Sequence, residues 1–94
     1  MMSDELKTMD DPEAKLREEG FRRIYTWEDG PDVHYPDHTH PVLTAHIVLA
    51  GEMTVTTEGQ SRVFRAGDRF DVPAYSIHSA TMGPAGCRYL IGEK

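Results

Sequence analysis

From Phe21 onward, apolar and polar residues alternate with a period near two. At intervals of about 8 to 12 residues the pattern is cut by clusters of glycine, proline and aspartate. A helix that buries one stripe needs a sustained 3.6-residue period, and this region offers none. Strands are therefore expected over residues 21–27, 44–50, 52–57, 61–65, 69–72, 76–82 and 87–91. Gly51 is expected as a turn or bulge, Glu58-Gly59-Gln60 as a hairpin turn, and Ala66-Gly67-Asp68 and Pro73-Ala74-Tyr75 as further turns. Residues 83–86 read as a loop. The segment 28–41, with Gly30, Pro31, Pro36 and Pro41, reads as turn and extended chain with limited ladder pairing. Short strands without intervening helices make an all-β fold, an antiparallel sandwich or small β-barrel.

Ahead of this region the signals differ. Residues 1–9 lack apolar periodicity and read as a flexible arm. Asp10 or Asp11 can cap a helix that Pro12 starts and Gly20 ends, over residues 12–19. Its apolar residues are Ala14 and Leu16, so it can lean on a larger body but cannot carry a core. A chain of 94 residues has material for one domain, assigned here to residues 10–94.

Composition removes several classes of function. Ten Lys and Arg against sixteen Asp and Glu leave a net charge of −6, which repels a phosphate backbone and argues against nucleic acid as a partner. The longest apolar run, Ile47 to Ala50, is far short of the ~20 residues needed to cross a bilayer as a helix, and the acidic N-terminus has no apolar signal region. A cytoplasmic location without membrane association is the expectation, and the single Cys87 agrees with a reducing compartment.

The chemistry lies in the histidines. His38 and His40 are two residues apart, so on extended backbone both imidazoles leave one face about 7 Å apart along the chain and can converge on one ion. Alone, a His-Thr-His in a proline-rich loop is more often a pair of surface residues. His46, on the same parity as Thr44 and Val48, and His78, between Ile77 and Ser79, add two candidates on strands that a barrel could bring to one interior. His34, ahead of Pro36, reads as exposed. Asp68 reads as a turn residue bonding backbone, and Met53, Phe70, Val72, Met82 and Ile91 as filling.

The run from Gly30 through His38-Thr39-His40 to Thr44 and Gly51 resembles the first cupin motif, G(X)5HXH(X)3,4E(X)6G. It departs in having seven residues between Gly30 and His38, and Thr44 where the motif has its glutamate. The run from Gly67 through Pro73 to His78 resembles the second motif, G(X)5PXG(X)2H(X)3N, with Tyr75 in place of the second glycine and Met82 in place of the asparagine. The resemblance implies a jelly-roll barrel with a metal on three histidines and a carboxylate, and carries over His38, His40 and His78 as ligands.

With Thr44 a poor ligand, His46, on the same strand face about 7 Å farther along, is either its replacement or a packing residue. An all-imidazole site suits a divalent transition metal (Zn, Fe, Ni, Cu, Co or Mn) better than Mg or Ca, which prefer oxygen. Two classes of function remain. One is a metal-dependent enzyme, dioxygenase-like or isomerase-like, acting on a small organic molecule. The other is a non-catalytic module that binds or senses a small molecule or a metal. Small size and the stripe of Phe21, Tyr25 and Trp27 further suggest a homodimer.

Overall fold

A computed structural model describes residues 11–94. The expected arm, residues 1–9, and Asp10 as a cap fall outside them. Asp11 caps the first element: its carboxylate accepts from the Ala14 N–H at 3.1 Å, and Pro12 occupies the first turn of α1 (Pro12–Glu18). At the far end the N–H groups of Gly20 and Phe21 donate to the carbonyls of Arg17 and Leu16, so the helix closes where the glycine predicts.

The remainder is antiparallel sheet: β1 (Arg23–Asp29), β2 (His34–His38), β3 (Thr44–Thr57), β4 (Gln60–Arg65), β5 (Arg69–Val72) and β6 (His78–Glu93). β3 and β6 pair with each other along most of their lengths, and each enters two layers. The first half of β3 and the second half of β6 are flanked by β5 and β1. The second half of β3 and the first half of β6 are flanked by β4 and β2. The layers pack face to face as a cupin-like sandwich.

Of the two readings of Gly51, turn or bulge, the structure has the bulge, and it corrects the division of β3 there and of β6 at residues 83–86 into separate strands. Neither chain turns. The ladder instead slips between Val48 and Ala50 and between Gly51 and Met53, and both strands bend across it. The bend needs glycine: Gly51 and Gly86 have φ of +79° and +80°, and a Cβ on Gly51 would run into the Gly86 carbonyl. The limited pairing expected in segment 28–41 falls at residues 34–38, which form a short strand with three cross-strand partners on β6. Pro36 is tolerated because β2 is an edge, and the register shifts between Tyr35 and His38.

Two apolar clusters result. Val48, Met53, Val55, Phe64, Ala80, Met82, Cys87 and Tyr89 fill the space between the layers. Leu16, Phe21, Ala45, Ile47 and Leu90 form the second, on the outer face of the β1–β5 layer under α1. Gly92 lets the helix approach, since a Cβ there would stand 3.1 Å from Leu16 Cδ1 and 3.2 Å from Phe21. Arg69 ties the helix down further, with Nη2 and Nη1 of its guanidinium donating to the Glu19 carboxylate at 2.7 and 2.9 Å. The stripe that suggested a dimer is thereby divided: Phe21 is buried beneath α1, while Tyr25 and the half-exposed Trp27 line an open cavity. Asp68 holds its turn as expected, accepting from the Arg65 N–H at 2.8 Å. Among the described residues no helix is long and apolar enough to cross a membrane.

Candidate metal centre

His38 ends β2, directly across the ladder from His78, which opens β6. His40 follows two residues after His38, on the same side as the spacing predicts. The ring centroids are 4.2 Å apart for His38 and His78, and 5.0 Å for His40 to each of them. One nitrogen from each ring lies within 4.8 Å of the others.

Backbone carbonyls aim two of these rings. His38 Nδ1 donates to the Pro36 carbonyl at 2.7 Å, and His78 Nδ1 to the Ser76 carbonyl at 3.0 Å, each reaching back two residues. A carbonyl only accepts, so Nδ1 carries the proton and Nε2 keeps its lone pair for an ion. The third ring is held through its backbone: the His40 carbonyl accepts from the Tyr75 N–H at 2.7 Å. Tyr75, at the position where the motif has glycine, has a φ of +64°. Burial, then the neighbouring imidazoles, lower the pKa of His40. Burial lowers that of His78 despite the opposing bond to Ser76. Both shifts favour the neutral ring, the form that ligates.

His46 lines the same cavity but lies outside this group of three. Its ring stacks on Phe70, its cross-strand partner, with centroids 4.6 Å apart and planes 5° from parallel. Burial, reinforced by His40 and His78, pushes its pKa down to about 4. Among the described residues its Nδ1 is buried without a partner, as is Oγ1 of Thr44 on the same strand face. His34 is exposed, as expected, and its Nδ1 lies 2.8 Å from Thr81 Oγ1.

The triad opens into a cavity of about 420 Å³. Sequence reasoning left out the carboxylate behind its wall. Asp29 accepts from the hydroxyls of Tyr35 and Tyr89 at 2.8 and 2.7 Å and from the Trp27 indole N–H at 3.1 Å. Burial first, and the bond to Asp29 next, raise the pKa of both tyrosines, so these phenols stay protonated. Glu93 plays the same part for Tyr25, accepting from its hydroxyl at 3.0 Å. Asp29 and Tyr89 are 60 positions apart, and no local pattern signals such a pair.

The family model described as Cupin domain matches residues 25–91, a span holding both histidine-bearing segments. An RmlC-like cupin from Shewanella frigidimarina NCIMB 400 is 26% identical, with a TM-score of 0.68 over 74% of this chain and 62% of that one. DMSP lyase DddQ from Ruegeria pomeroyi DSS-3 is 25% identical, with a TM-score of 0.70 over 76% of this chain and 36% of that one. KdgF from Halomonas sp., at 22% identity and a TM-score of 0.64, shares the fold over 76% of this chain and 67% of its own. The chain thus spans less than two thirds of the first two of these structures. No curated protein matches it.

Proposed function

This chain belongs to the cupin family, and from that premise we propose that it is a metal-dependent cupin in which His38, His40 and His78 hold a divalent transition ion beside a small organic molecule. The observation that carries the reading is the aiming of the triad. Two of its rings spend Nδ1–H on carbonyls two residues back, which leaves Nε2 for an ion. The donors are imidazoles alone, a set that suits Zn, Fe, Ni, Cu, Co or Mn and not Mg or Ca. Such an ion, when bound, supplies a Lewis acid.

The chain's own residues shape the rest. A cavity of about 420 Å³ falls in the range of small-molecule sites. Met53, Val55, Met82 and Ile91 give it an apolar lining, and the phenols of Tyr25, Tyr35 and Tyr89 turn their protons to Glu93 and Asp29. Those oxygens therefore face a guest as acceptors. His46 would have to leave its stack on Phe70 to join the triad. That a cupin neighbour is a DMSP lyase supports an enzymatic role over a purely sensory one.

Elemental analysis of the purified protein, followed by titration of the stripped protein with Zn, Fe, Ni, Cu, Co and Mn, tests the proposal. The expected result is about one ion per chain, bound through imidazole nitrogen in X-ray absorption spectra. A chain that takes up none of these ions is not a metal-dependent cupin.

A further inference from the structure

One imidazole of the triad lacks the support that the other two have. His38 and His78 each donate a ring N–H to a backbone carbonyl, whereas among the described residues the His40 ring makes no hydrogen bond and is held only through its main chain. A ring that ligates an ion through one nitrogen makes a strong donor of the other, and that proton needs an acceptor. The half-buried His40 has a carboxylate at hand. Glu93, near the end of β6, stands directly across the ladder from Thr44, the residue at the motif's glutamate position, and the two line one groove with His40. Against burial and the other imidazoles, which lower the His40 pKa, the charge of Glu93 raises it. The acceptor capacity of this carboxylate is only partly used. Its Oε2 takes the Tyr25 hydroxyl at 3.0 Å, while its Oε1 is in an ion pair with Arg23 at 3.8 Å, beyond hydrogen-bond distance.

We infer that Glu93 is a positioning residue of the metal centre: with an ion bound, it accepts the remaining ring N–H of His40 and fixes that imidazole, while keeping the Tyr25 hydroxyl and the pairing with Arg23. The inference rests on the metal-binding reading. It returns a negative charge where Thr44 leaves one out, across the ladder and one bond farther from the ion. It also joins the third imidazole, through a single carboxylate, to a phenol of the cavity wall.

Zn titration, with Co(II) as a paramagnetic reporter, tests this. Glu93→Ala should lower Zn affinity about ten- to a hundredfold. Glu93→Gln, whose amide oxygen still accepts but carries no charge, should lose less, and it keeps the size of the side chain should the alanine variant misfold by circular dichroism. In proton NMR of the Co-loaded wild type the ring N–H protons of the triad should give shifted, exchangeable signals. Either variant should speed the solvent exchange of one of them and leave the others unchanged, which a merely structural role does not do. Arg23→Met, which removes the ion-pair partner of Glu93, should leave Zn affinity within about threefold. The inference is overturned if both Glu93 variants bind Zn within about threefold of the wild type, if Arg23→Met loses as much as they do, or if no single N–H signal is affected. A wild type that takes up neither Zn nor Co overturns the metal reading and this inference with it, whereas a wild type and Glu93 variants that bind equally well overturn this inference alone.

Discussion

Thr44 to Val48 are five consecutive buried residues of one strand, but their two faces are buried by different means. Ala45 and Ile47 point outward into a cluster that α1 seals with Leu16 and Phe21. Thr44, His46 and Val48 share the opposite face, where Val48 joins the core between the layers, His46 lines the cavity, and Thr44 and His46 each keep a polar atom without a partner among the described residues. An unsatisfied buried group costs about 1–3 kcal/mol, and an apolar residue of similar shape would avoid that cost. The outer face is thus built for stability, and the inner face gives some up to bury two polar groups, of which His46 lines the cavity of the triad.

The sharpest way to break this division is to exchange the consequences of its two faces. His78→Ala should abolish metal binding, measured by elemental analysis, and with it the rise in melting temperature that added Zn gives the wild type. If that variant kept its metal, the triad assignment would fall. Leu16→Ala, on the sealed side, should cost about 2–5 kcal/mol in urea unfolding while metal content at saturation stays unchanged, because Leu16 is 0% exposed and contacts no imidazole of the site.

His46 gives the inner face a pH signature in the metal-free protein. Its pKa falls from 6.5 to about 4 on folding, so between those values the unfolded chain binds the extra proton. Stability is then full above pH 6.5 and is lost as pH drops toward 4, by an amount on the order of 3 kcal/mol. His40 and His78, also lowered, act in the same direction. His46→Phe should keep the stack on Phe70, flatten this slope and leave Zn affinity within about threefold. A tenfold or greater loss of affinity would show instead that His46 is a ligand.

The smallest expected effect is at the rim. Tyr75 holds a left-handed φ that costs an L-residue about 1–2 kcal/mol, and glycine there gives up some of that gain through the flexibility of the unfolded chain. Tyr75→Gly should therefore stabilise by about 1 kcal/mol or less in urea unfolding, with the N–H bond to the His40 carbonyl retained. A loss of stability would mean that the exposed ring makes contacts that offset the strain.

Much of the fold is readable along the chain. The capped helix that ends at Gly20, the turns at 58–60 and 66–68, and the alternation that puts Thr44, His46 and Val48 on one side are local properties of backbone and side chain. The convergence of His38 and His40 with His78 is readable as well, through their spacing and the two motifs. Residues 83–86 mislead because Gly-Pro-Ala-Gly reads as a loop, while in the sheet the same residues serve a bend.

What the sequence by itself determined is the period: which residues share a face, and which four histidines, His38, His40, His46 and His78, are candidates for one site. Only the tertiary structure decided the neighbours across strands. Phe70 takes the ring of His46, Asp29 gathers two tyrosines and a tryptophan, and Glu93 takes the hydroxyl of Tyr25 and pairs with Arg23. The reason is register. Alternation is set by each strand's own backbone, but which residue stands opposite another depends on how strands far apart in sequence slide and bend against each other. That is settled by the packing of the whole sandwich.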